Sequence, residues 1–97
     1  MSTPLNVRVV TNEGEAFTDE AVSMVAPGDM GYLGILSNHA PLITLLQPGK
    51  LSWRRVNGEL RAVRLSEGLM EVLQNRVTVL TERCTPARPD EPAGPLR

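Results

Sequence analysis

Cysteine, histidine and aromatic residues are nearly missing from this chain, whose 97 residues include one Cys, one His and one each of Trp, Tyr and Phe. A single cysteine excludes an internal disulfide and a cysteine-only zinc site within one chain, and so a disulfide-stapled secreted mini-domain. A single histidine, His39, leaves a hydrolase one possible base, with one peripheral thiol at Cys84 and no convergent acid cluster. Trp53 and Tyr32 are too few for a base-stacking surface. Excess charge is also absent: 10 basic against 11 acidic residues leave −1, with no drive toward phosphate backbones or anionic lipid. The longest mostly apolar stretch, Ala40 to Leu46, contains Pro41 and Thr44 and is strand-sized, far short of a bilayer span. The N-terminal residues lack the basic start and apolar run of a signal peptide. A soluble, cytoplasmic chain is expected, with any tie to a membrane made through a protein partner.

What is present is the pattern of one folded domain, with 41% hydrophobic and 22% charged residues. Apolar residues recur at period two, the mark of half-buried strands: Leu5, Val7 and Val9; Val22, Met24 and Ala26; Leu51 and Trp53; Val77 and Val79. Tyr32 to Leu36 and Leu42 to Leu46 are more uniformly apolar, as strands buried on both faces would be. Asn57-Gly58 predicts a two-residue type I′ hairpin turn between Lys50–Val56 and Glu59–Leu65. Turn residues recur every 8 to 12 positions, the spacing of a small sandwich or barrel, so the chain reads as all-β. Pro86, Pro89, Pro92 and Pro95 crowd the end. Their density forbids a helix or a paired strand, so residues 84–97 are expected to form a solvated, disordered tail after a domain of residues 1–83.

Few residues carry chemistry. Glu13, Glu15, Asp19 and Glu20 read as a solvated acidic connection, and Cys84 as an inert thiol. Gly28, Gly31 and Gly34 mimic a phosphate loop, but no Lys-Ser/Thr follows and Asp29 would repel a phosphate. They read as structural glycines at a turn and a bulge, in a loop whose Met30 and Tyr32 can lie against another surface. His39 either pins its turn through backbone hydrogen bonds or faces a partner subunit.

Taken together, Val25-Ala26-Pro27-Gly28, Gly31-Tyr32-Leu33-Gly34-Ile35, Asn38-His39-Ala40-Pro41-Leu42-Ile43-Thr44 and Gln47-Pro48-Gly49-Lys50 resemble the epsilon subunit of bacterial F-type ATP synthases. Ser66 to Val72 and Val77 to Leu80 follow the same family in order and spacing, so the likeness covers about residues 4 to 83. The resemblance implies an antiparallel β-sandwich of about ten strands in the central stalk of the rotary motor, with no catalysis and no cofactor or metal of its own. Its implied partners are the gamma subunit and the c-ring, which it links so that proton or sodium translocation is coupled to ATP synthesis. It also implies a peripheral place at the cytoplasmic face of the bacterial plasma membrane. By position, Asp29, Met30, Tyr32, His39 and Leu42 fall at the ring-facing edge, and Thr11 and Thr44 on the gamma side. Many members have an acidic residue where this chain has Tyr32, which substitutes apolar area and one hydroxyl, and Ser37 stands where a proline often precedes the turn. Typical members continue into a two-helix hairpin that in many of them restrains ATP hydrolysis or binds ATP; the proline-spaced end cannot form it, so a coupling clamp without self-inhibition is expected. The alternative is a free-standing β-sandwich adaptor that binds a protein or peptide.

Overall fold

In the computed structural model, which describes residues 3–93, period-two alternation becomes nine strands and no helix. They are β1 (Leu5–Thr11), β2 (Gly14–Gly28), β3 (Gly31–Leu36), β4 (Leu42–Leu46), β5 (Gly49–Arg55), β6 (Leu60–Leu65), β7 (Gly68–Leu73), β8 (Arg76–Thr81) and β9 (Cys84–Ala87). The fold is all-β as expected, with nine strands among the described residues where about ten were anticipated. It is not wholly antiparallel, because β1 runs parallel to β8.

Strand β2 organises the molecule. Its first half pairs with β1, and its second half lies between β3 and β5. One layer therefore runs β4-β7-β8-β1 to the start of β2, and the other runs β3-β2-β5-β6-β9. The inward rows share one core: Leu5, Val7, Val9, Met70, Val72, Val77 and Val79 from the first layer, and Met24, Ala26, Ile35, Leu51, Trp53 and Leu65 from the second. Each of these side chains contributes about 1.5–3 kcal/mol by leaving water, opposed by the entropy of ordering the chain.

A bulge between Ala21 and Ser23 interrupts the β2–β5 ladder and reverses the facing of β2. Ala21 is thereby buried and Val22 turned outward, so Val22 does not share a face with Met24 and Ala26 as strict alternation predicts. Gly28 and Gly31 close a turn as expected, but Gly34 pairs with Val25 in regular register, so no bulge accompanies the three glycines.

The hairpins also differ from expectation. Between β5 and β6 only Gly58 has positive φ, at 93°, and its N–H donates to Arg55 O at 2.8 Å. That is a three-residue loop with glycine in the left-handed position, completed by the Glu59 amide donating to Asn57 Oδ1. The type I′ geometry occurs instead between β7 and β8, where Gln74 and Asn75 have φ of 50° and 63°.

The domain does not end at residue 83. β9 pairs antiparallel with β6, placing Pro86 opposite Val63. β9 is an edge strand, where a proline's missing donor is tolerated because no further strand needs it. Residues 88–93 then lie back over the outer face of β5 and β6, with Lys50 Nζ donating to Pro89 O at 2.7 Å. The rest of the expected tail, residues 94–97, lies outside the described residues.

Candidate functional site

The five residues assigned to the ring-facing edge fall at the two ends of one strand, β3. Asp29 and Met30 form the β2–β3 turn, closed by the Gly28–Gly31 pair, with Gly31 at φ 129°. Gln47 fixes this turn from the neighbouring chain segment: its side-chain amide donates to Asp29 Oδ1 at 2.9 Å and its backbone N–H to Pro27 O at 2.8 Å. Met30 projects from the tip and is 99% exposed. Tyr32 leans over the start of β5, where its hydroxyl accepts the Lys50 amide at 3.2 Å and donates to Ala93 O at 2.6 Å. Only glycine fits at position 49 beneath it, because a Cβ there would lie 2.6 Å from the Tyr32 hydroxyl and 2.9 Å from Pro27 Cβ.

His39 lies past the other end of β3, about 17 Å away from this turn by strand rise alone. Its Nδ1 faces Ala40 O at 2.7 Å, and since a carbonyl only accepts, Nδ1 carries the proton. Its N–H donates to Leu36 O. The preceding Asn38, at φ 66°, donates its amide to Asn75 Oδ1 at 2.6 Å, tying this loop to the β7–β8 turn. Leu42 is half-buried and packs on the core. The five residues assigned to one edge thus separate into Asp29, Met30 and Tyr32 at one end and His39 with Leu42 at the other.

Thr11 and Thr44 lie on opposite margins of the first layer. The Thr11 hydroxyl donates to Gly14 O and accepts the Glu13 amide, which shapes the β1–β2 turn. Thr44 shares the inward row with Met70 and Val79.

Between those margins is the feature that sequence reasoning missed. On the outer face, Leu45 of β4 stands opposite Leu69 of β7, which stands opposite Leu80 of β8, which stands opposite Val10 of β1. At about 4.8 Å per strand this apolar row is about 14 Å long. Leu45 is 57% exposed, and Ile43, in the next row, is 68% exposed. That next row continues as Glu71, Thr78 and Arg8, so polar groups border the apolar one. Outer faces of antiparallel layers ordinarily alternate to polar residues, and contiguous exposed apolar rows mark interaction sites. β4 is apolar in both phases because both of its faces meet apolar surroundings: one the core, the other this bare row.

Ionised groups gather elsewhere and serve the fold. Asp19 Oδ2 accepts from Trp53 Nε1 at 2.8 Å and pairs with Arg55 Nε at 3.0 Å. Partial burial works to raise the Asp19 carboxyl, but hydrogen bonds from Trp53, the Glu20 amide and Arg55 outweigh it and hold the group below its ordinary range. Arg55 also meets Glu59 at 3.1 Å. Burial pushes the Cys84 thiol up, which disfavours the thiolate that a reactive cysteine needs. Among the described residues no group of three or more His, Cys, Asp or Glu side chains could hold a metal ion.

Comparison with known proteins places this architecture. Residues 4–87 match the family described as ATP synthase, Delta/Epsilon chain, beta-sandwich domain. The ATP synthase epsilon chain of Dichelobacter nodosus is 39% identical over 87 residues, covering 90% of this chain and 61% of that one. That of Desulfitobacterium hafniense is 40% identical over 86 residues, covering 89% and 64%. The chain therefore spans about three-fifths of the length of these curated relatives. The fold is shared with a chain of the Euglena gracilis mitochondrial ATP synthase OSCP/F1/c-ring structure, with a TM-score of 0.80 at 18% identity, covering 86% of this chain and 53% of that one. It is shared too with a chain of the Tetrahymena thermophila mitochondrial ATP synthase central stalk and c-ring, with a TM-score of 0.71 at 16% identity, covering 88% and 68%. By sequence and by fold, this chain belongs to the ATP synthase Delta/Epsilon chain β-sandwich family.

Proposed function

We propose that this protein is a non-catalytic rotor subunit of an F-type ATP synthase, a clamp between the gamma subunit and the c-ring that couples ion translocation to ATP synthesis or hydrolysis. Family membership supports the assignment, and the outward Leu45–Leu69–Leu80–Val10 row, exposed at its three leucines, is the observation that carries it into geometry. A bare apolar row on a small sandwich calls for a permanent partner, and the gamma subunit is the partner that fits a central-stalk protein. The row runs between the two residues assigned to the gamma side, Thr11 and Thr44, each a sequence neighbour of an end of the row. The turn at Asp29 and Met30, with Tyr32 beside it, is then the edge presented to the polar loops of the c-ring. On this reading the complex sits at the cytoplasmic face of the membrane.

A torque-transmitting clamp needs stiffness more than chemistry. Cross-linked ends supply it: Asn38 to Asn75 at one end, Gln47 to Asp29 at the other, and β2 running through both layers. Co-expression with the cognate gamma subunit, followed by size exclusion with light scattering, tests the assignment. A one-to-one complex is expected. A monomer that ignores gamma would overturn it and move the free-standing adaptor to the front.

A further inference from the structure

Two charged side chains on the outer face of the second layer have an unusual occupation. Lys50 of β5 and Arg64 of β6 are direct cross-strand partners. Neither uses a carboxylate as its main partner; both point their donors at backbone carbonyls of the chain's own end. Lys50 Nζ donates to Pro89 O at 2.7 Å and to Glu91 O at 2.6 Å. Arg64 donates through Nη1 to Ala93 O at 2.7 Å and through Nη2 to Pro92 O. The Tyr32 hydroxyl donates to the same Ala93 carbonyl. Glu91 adds an ion pair with Arg64 at 3.5 Å and, through its other oxygen, accepts the Arg88 amide at 2.8 Å.

The chemistry on the two sides is complementary. Lysine and arginine offer only donors. A proline-rich segment is rich in carbonyls and poor in N–H groups, and Pro89 and Pro92 bring no donor that needs an acceptor. Proline also fixes φ, and Pro89 sits in the turn that the Glu91 N–H closes on Arg88 O at 3.1 Å, so less conformational freedom is lost on docking. The contacts read backbone rather than side chains, apart from Glu91.

We propose that Lys50, Arg64 and Tyr32 form a binding site for a proline-rich segment that presents its carbonyls from a turn, and that residues 88–93 occupy it in cis as a strap. The tether at β9 gives the strap an effective concentration in about the millimolar range, so a modest intrinsic affinity suffices to keep it seated. Most of its contacts lie at the surface, with the Lys50–Glu91 bond partly buried, so a competing segment delivered by a larger docked partner can replace it. Where the central-stalk reading holds, the consequence is specific: beside Met30 the ring would meet the strap, with Arg88 and Asp90 on its turn, instead of a free Tyr32 hydroxyl. The site itself does not depend on that reading.

The test uses the full chain. ¹⁵N relaxation at Asp90, Glu91 and Ala93 should give order parameters near those of the sheet, about 0.8, in the wild type. A full-length variant carrying Pro89→Ser, Glu91→Arg and Pro92→Ser leaves the three site residues intact while placing a like charge beside Arg64. There the same amides should drop below about 0.6. A peptide with the sequence of Arg88–Ala93 should then bind this variant in trans, shifting the amide signals of Tyr32, Lys50 and Arg64 and saturating at about millimolar concentration. The wild type, its site filled, should respond at least about tenfold more weakly, as self-occupancy reduces apparent affinity. Wild-type order parameters already below about 0.6 would overturn the strap. Peptide shifts that are absent, or that map elsewhere in the variant, would overturn the site.

Discussion

Replacing Leu45, Leu69 and Leu80 together by serine removes the centre of the exposed apolar row without touching the core, since all three point outward. Fully burying a leucine contributes about 1.5–3 kcal/mol. Scaled by their exposed fractions of 57%, 36% and 46%, the three side chains would together contribute about 2–4 kcal/mol on being covered by gamma. That converts to about 30- to 1000-fold weaker binding in the triple variant. Neighbouring outward groups supply the control: Thr78→Ala, in the next row, should change affinity by less than about threefold. Isothermal titration of each variant against purified gamma measures the difference, and urea unfolding checks that the domain is intact. A folded triple variant that binds gamma as the wild type does would refute the assignment of this face.

Gly68→Ala should destabilise the domain by about 2–4 kcal/mol in urea unfolding, because the new Cβ would fall onto the Leu80 backbone carbonyl, which cannot yield as a side chain can. Asp19→Asn should cost about 1–2 kcal/mol, a value reduced for the partial exposure of Arg55, by weakening the contacts to Trp53 and Arg55. The sign of the pH effect follows from the lowered Asp19 pKa: its contribution is fully present above the ordinary carboxylate value of about 4 and is lost as pH falls through the depressed native value. The stability difference between Asp19→Asn and the wild type should therefore shrink on acidification below about pH 4, and a difference that grows there would contradict the cluster. Gln74→Gly should stabilise by about 0.5–1 kcal/mol in thermal unfolding, as it relieves a left-handed backbone that glycine adopts freely, net of glycine's greater chain entropy.

Strands were legible wherever one face is core and the other is water. Leu5, Val7 and Val9, like Leu51 with Trp53 and Val77 with Val79, are buried as their alternation foretells. Alternation misleads where it is locally reset, and the bulge at Val22 is such a place: nothing in Val22-Ser23-Met24 marks the extra residue, which the long β2 strand uses to change partners. It misleads again at β4, where an apolar run predicts burial on both faces although Ile43 and Leu45 face outward. A strand in a sandwich has only one inner face, so the second set of apolar residues stands on the outer face, where we propose the interface. Asn57-Gly58 announced a hairpin correctly and its turn type wrongly, because three loop residues satisfy the strand twist equally well when glycine comes last. Loop residues are harder still. Asp29 and His39 share a short sequence span, but a fully extended β3 separates them, and neither composition nor spacing reports that distance.

The two outer faces of the sandwich explain why proline density misled as well. Proline excludes helix and ladder as a donor, but it leaves every carbonyl available, and a face that supplies donors can hold such a segment. Lys50 and Arg64 make the second layer that kind of face, with their head groups donating to the carbonyls of Pro89 and Ala93. The first layer has no such cover among the described residues: its central row offers leucines, which hold nothing by hydrogen bonding and gain only from apolar area. One face therefore recruits its occupant by polar contacts to a tethered segment, which can exchange. The other requires a broad apolar surface and, once covered, gains most from staying so. On the proposed rotor role, that asymmetry would set a lasting grip on the shaft on one side against an exchangeable surface on the other.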